Sequence, residues 1–164
     1  MTCTRVGVCL AMSGMFPASA GEAGQLMATS AQAPASRAVI AGDSRGGASV
    51  RAVRLPSPLR LDGHLDETIY ASVPPMSDFI QQEPVEGATA TERTEVWLLF
   101  DNDHVYVSFR CWESRPERMV VNEMRRDDMN VFQNDHVAFV FDTFYDRRNA
   151  VEFVVNPIGG RMDG

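Results

Sequence analysis

Apolar and polar positions alternate with a period of two most clearly after Thr91. In TEVWLLFD, Val96, Leu98 and Phe100 share one face, while Trp97 and Leu99 share the other and read as core. After the polar turn Asp101-Asn102-Asp103-His104, Val105, Val107, Phe109 and Cys111 share a face, and Tyr106, Ser108, Arg110 and Trp112 share the opposite one. Two alternating runs joined by a short turn predict a β-hairpin. Residues 113–131 are polar and Arg-rich and read as a long connection with one helical turn. Val137–Asp142 is apolar on both faces, which predicts a strand in the centre of a sheet. Thr143–Asn149 reads as a turn. AVEFVVN follows as another strand, with Val151, Phe153 and Val155 inward and Pro157 ending it. The closing GGRMDG reads as a turn feeding a strand that is absent.

Upstream, the pattern is weaker. Order is expected from about Val53, with Asp62-Gly63 as a turn. Leu65-Asp66-Glu67 opens one helical turn, with Leu65 and Ile69 on one side and Pro74-Pro75 as its stop. FIQQEP (79–84) reads as an edge segment. The pattern as a whole predicts an all-β fold, an antiparallel β-sandwich of the immunoglobulin or jelly-roll kind. Roughly six strand candidates are present where a closed sandwich takes seven or more, so the sandwich is expected to be incomplete at its C-terminus.

Composition divides the chain into three parts. Residues 1–20 have the layout of a secretory signal: Arg5, an apolar run from Val6 to Phe16, then Ala18-Ser19-Ala20. Residues 21–52 are dominated by Ala, Ser and Gly and bury too little apolar surface to offset their ordering entropy, so they read as a disordered leader. Residues 53–164 form the folded part. A secreted, periplasmic or outer-membrane-associated location follows from the signal. Once it is removed, Cys111 is the one cysteine left, so an internal disulfide framework is excluded. All 15 basic residues are Arg, the formal net charge is −7, and the Arg pairs sit beside acids, which argues against nucleic-acid binding.

Catalytic motifs are not found. His64, His104 and His136 lie in no metalloprotease spacing, and the chain carries neither a nucleophile elbow nor a phosphate loop. No catalysis is expected of this segment, although a hydrolase domain downstream is compatible with it. Aspartates gather at strand ends and in loops, and Asp101, Asp103 and Asp142 are the candidates for a Ca²⁺ site, weighed against their ordinary role as turn formers. Trp112 with Tyr106 and Arg110 makes a candidate binding surface on the hairpin, weighed against plain packing.

Three stretches in order carry a resemblance. LDGHLDETIY (61–70), the hairpin TEVWLLFDNDHVYVSFRCWES, and FQNDHVAFVFD (132–142) resemble the motifs of family 9 carbohydrate-binding modules and their DOMON-like relatives. The segment from Phe141 to Gly164 resembles a bacterial subgroup in which the module precedes an outer-membrane barrel of a large envelope protein. The resemblance implies a β-sandwich that binds polysaccharide or oligosaccharide, often with calcium and often attached to glycoside hydrolases acting in carbohydrate catabolism. It also implies an association with the outer membrane through a further C-terminal region. Phe132 takes the place of the stacking Trp, and Asp135 matches the motif's Asp. Ala138 and Val154 stand where the family has Glu and Arg. Those two changes favour an alternative, a structural or interaction sandwich that has lost sugar binding. Haem ligation by Met119, Met124 or Met129, as in DOMON relatives, is a third option.

Overall fold

In the computed structural model, residues 4–13, 41–42 and 48–164 are described. They are rich in strands and nearly free of helix. Most of the expected signal and leader lies outside the described residues. Thr4–Ser13 forms strand β1, while Ala41–Gly42 (β2) and Ala48–Ser49 (β3) make a short antiparallel ladder. The larger sheet has the order β1-β6-β5-β4, with β4 at Val53–Arg54, β5 at Thr94–Phe100 and β6 at His104–Glu113. β5 and β6 are the hairpin that the alternation predicts. β4 runs parallel to β5, with Val53 opposite Leu99.

The chain divides into two compact units, and the boundary passes through β5 after Thr94 and through β6 after Ser108. One unit holds the described residues of Cys9–Ser77 together with Glu95–Ser108, so the boundary also passes through β1 after Val8. Its core joins Leu55, Tyr70, Trp97, Leu99 and Tyr106. Helix α1 (Thr68–Ser72) is a little over one turn long, because Pro74-Pro75 follows and no side chain caps its start. It is held from the core: Tyr70 meets Trp97 edge-on at 5.2 Å, Tyr70 Oη bonds Ser108 Oγ at 2.8 Å, and Trp97 Nε1 donates to the Val73 carbonyl at 2.9 Å. As its alternation implies, Trp97 is a core residue.

The other unit includes Asp78–Thr94 and Phe109–Gly164. Its sheet has the order β7-β8-β9, formed by Val137–Phe141, Val151–Val155 and Arg161–Asp163, antiparallel throughout. Two expectations are corrected here. β7 is an edge strand of this sheet, and β8 is central; Val140, expected inside, is 57% exposed. An uncharged run can sit on an edge when only one of its faces is packed, and here Phe139 and Phe141 pack on Phe153. The strand expected to be absent after the Gly pair is β9, bonded to β8 as far as Gly164. Val154, on the face opposite Val151, Phe153 and Val155, is fully buried.

The connection between β6 and β7 contains two 3₁₀ turns, Pro116–Arg118 and Met129–Gln133. A buried asparagine network ties it down. Asn134 Oδ1 accepts from the Asn122 and Glu123 amides, at 2.6 and 3.0 Å, while Asn134 Nδ2 donates to Asn122 Oδ1 and the Asn130 carbonyl. Asn156 Nδ2 donates to the Glu123 carbonyl, and Asn156 Oδ1 accepts from the Gly160 amide at 2.7 Å. Side-chain amides carry both donors and acceptors, so two residues satisfy an irregular backbone that no strand partners.

Candidate functional site

Within the second unit a cavity of about 430 Å³ opens beside the end of β6 and the start of β7. Its floor is apolar, made by Phe109, Cys111, Val137, Ala138 and Val155. Trp112 and Phe79 supply aromatic walls, and Glu92, Glu113, Asp135 and His136 supply the polar ones. β6 delivers Phe109 through Glu113 as one extended run. The Trp112 amide donates to the Arg93 carbonyl at 2.9 Å, and the Arg93 guanidinium lies 4.7 Å from the Trp112 ring centre. That cation–π contact fixes the indole and occupies one of its faces.

Each of the three carboxylates is held by one oxygen. Glu92 Oε1 accepts from Ser114 Oγ, Glu113 Oε1 from the Arg115 amide at 2.6 Å, and Asp135 Oδ2 from the Val120 amide at 2.6 Å. The second oxygen of each has no hydrogen-bond partner among the described residues, so each group is positioned and still able to accept. Asp135 also donates its own amide to the Val120 carbonyl at 2.8 Å, which clamps the long connection to the start of β7.

His136 Nδ1 lies 2.7 Å from the Asn134 carbonyl. A carbonyl can only accept, so Nδ1 carries the proton and a neutral ring keeps its lone pair on Nε2. Phe132 meets this ring edge-on at 5.6 Å. Burial pushes the Cys111 thiol upward, against a smaller opposing effect of a hydrogen bond with Thr94, so the group stays protonated at neutral pH and is a poor nucleophile. Outside the cavity, hydrogen bonds lower the carboxyls of Asp62, Asp101, Glu123, Asp142 and Asp146.

The residues singled out from sequence are divided between different surroundings. Trp112 and Asp135 line the cavity. Phe132, 38% exposed, sits on the second 3₁₀ turn and does not line it; its contact is with His136, which does. Arg110 is half-buried on β6 and does not line it either. Tyr106 is 2% exposed in the core of the first unit, so the surface expected from Trp112, Tyr106 and Arg110 is not formed. Its hydroxyl donates to Asp101 Oδ2 at 2.6 Å. Asp101 Oδ1 accepts from the Asp103 and His104 amides at 2.8 Å each. These bonds, the Tyr106 hydroxyl first, hold the Asp101 carboxyl down to about 2.

Asp101 and Asp103 therefore build the β5–β6 turn together. Asp142 belongs to the other unit, where it accepts from the Asp146 and Arg147 amides in the β7–β8 turn. Among the described residues no three acidic, His or Cys side chains form a group able to hold a metal. Of the methionines considered as haem ligands, Met119 lines the cavity, whereas Met124 and Met129 are exposed. Sequence reasoning missed Glu92, Glu113 and His136, which gain meaning from lining the same cavity as Trp112. No family model matches this chain, and no curated protein or solved structure does.

Proposed function

We propose that this chain carries a non-catalytic, carbohydrate-binding β-sandwich module of a secreted or envelope protein, with its sugar site in the cavity beside Trp112. One observation carries the reading: three anchored carboxylates, each with an oxygen to spare, line one cavity together with an indole and a set of apolar side chains. A sugar ring presents an apolar C–H face and a rim of hydroxyl donors, and this cavity offers an aromatic face and a rim of acceptors. Its volume lies in the range of ~300–1,000 Å³ typical of small-molecule pockets. Phe132 then serves the site indirectly, by bracing His136.

Affinity electrophoresis of the full chain through soluble glucans, xylans and galactans tests this. Retardation by at least one polysaccharide is expected. Trp112→Ala is expected to weaken it roughly tenfold or more, equal to about 1.4 kcal/mol of binding. Folded protein that migrates unretarded through the whole panel overturns the reading.

The alternative, a structural or interaction sandwich without sugar binding, is favoured by one specific observation. The two positions where the resemblance expects polar partners are apolar in identity, and neither side chain can bond a sugar hydroxyl. Val154 is fully buried, and Ala138 lends its methyl group to the cavity floor. Folded wild-type protein that no polysaccharide of the panel retards would select it, whereas retardation that Trp112→Ala leaves unchanged would place the sugar site elsewhere on the chain.

A further inference from the structure

The backbone register of the three-stranded sheet leaves one strand edge open. The Glu152 and Gly164 amides exchange hydrogen bonds with each other's carbonyls at 2.8 and 3.1 Å, and the Asn156 amide donates to Gly160 at 2.9 Å. Glu152, Val154 and Asn156 therefore turn their backbone groups toward β9. Successive residues of a strand point their backbone groups to opposite edges, so Val151, Phe153 and Val155 face β7. Their partners there are Phe141, Phe139 and Val137. The outward N–H and C=O groups of β7 are thus those of Ala138 and Val140, both exposed, and β7 pairs with no second strand among the described residues.

Native sheets guard such edges with Lys, Pro, bulges or inward charges. Val137–Phe141 carries none of these. The run is bracketed by groups of opposite character, His136 before it and Asp142 after it. A parallel pairing of two such edges would set like against like. An antiparallel pairing about Phe139 sets Ala138 against Val140, Val137 against Phe141 and His136 against Asp142, each pair occurring twice. That register also aligns the outward backbone groups of Ala138 with those of Val140.

We propose that β7 is a self-association edge, through which two copies of this chain join antiparallel about a two-fold axis at Phe139, with His136 of each copy opposite the second copy's Asp142. The two sheets become one continuous six-stranded sheet, β9-β8-β7-β7-β8-β9. Because His136 also lines the cavity, the second copy contributes Asp142 to the rim of each cavity.

Sedimentation of the full chain is measured with a reductant present, so that none of Cys3, Cys9 and Cys111 can form a bridge. The pairing is short and belongs with small, transient interfaces, so loading concentrations run from roughly 10 to 300 μM. A concentration-dependent dimer is expected. Val140→Thr keeps it, and Val140→Lys abolishes it with an unchanged circular dichroism spectrum. His136→Asp places two carboxylates opposite each other and weakens the dimer roughly tenfold or more. A monomer throughout the range overturns the proposal, as does a dimer that Val140→Lys leaves intact. Should Val140→Lys fail to fold, His136→Asp decides: a dimer as strong as wild type overturns the proposal, and a weakened one supports it.

Discussion

Gly160 shows how a residue acquires its constraint from a distant contact. A Cβ at this position would lie 2.3 Å from the Glu123 carbonyl oxygen and 2.8 Å from Asn156 Nδ2. Gly160→Ala is therefore expected to lower stability by about 1–3 kcal/mol in urea unfolding, since a backbone carbonyl cannot step aside as a flexible side chain can. The neighbouring Gly159 has open space around it and a φ of +91°, so its requirement is conformational. Sequence marks both as one turn, and nothing local separates the two reasons.

Asp101 supplies a prediction in pH. Its folded carboxyl is held at about 2 against an ordinary 3.8, first by the Tyr106 hydroxyl and next by the Asp103 amide. A depressed carboxyl contributes stability that is complete above the unfolded value and is lost as pH falls through the folded one. The wild-type unfolding midpoint should therefore fall more steeply than that of Asp101→Asn between pH 4 and pH 2. Equal slopes would show that the Tyr106–Asp101 bond does not persist in solution.

At the scale of elements, the hairpin of β5 and β6 was fully legible, because alternation and a polar turn are local signals. Helix α1 was legible as a place but not as a stable element. A five-residue helix with no side-chain cap stands on its tertiary contacts, chiefly those of Tyr70. Tyr70→Phe keeps the edge-on contact with Trp97 and leaves the Ser108 hydroxyl without that partner, so a loss of about 1 kcal/mol is expected from thermal unfolding. β7 was legible as a strand, but its place in the sheet was not. Five apolar residues in a row look the same whether two strands flank them or one does.

At the scale of the molecule, charge and the proposed site point the same way on a partner. An all-Arg complement outnumbered by acids, with Arg125 and Arg126 each paired to aspartates, offers no stripe for a polyanion. The chain is expected to pass unretained through a heparin column at ~0.1 M salt, where a basic binding face would hold. The proposed sugar site calls for an uncharged ligand rich in hydroxyls. Comparing Phe132→Ala with Trp112→Ala separates the two aromatic candidates: Trp112→Ala is expected to lose polysaccharide retardation, and Phe132→Ala to keep most of it. The reverse order in affinity electrophoresis would return the platform to Phe132.

What the sequence by itself determined is what depends on neighbours along the chain. It set the strand-rich class, the β5–β6 hairpin, the turn at Gly159-Gly160, the stop after α1 and the acidic balance. What only the tertiary structure decided depends on neighbours across it. Those decisions include β7 at an edge, Tyr106 in a core with its hydroxyl on Asp101, and Asn134 and Asn156 as the tie of a long connection. They also include the gathering of Glu92, Trp112, Glu113, Asp135 and His136 at one cavity. The physical reason is the reach of each signal. Alternation and turn chemistry act over a few residues, whereas the worth of a polar or aromatic side chain is set by the atoms that folding brings within hydrogen-bonding or van der Waals distance.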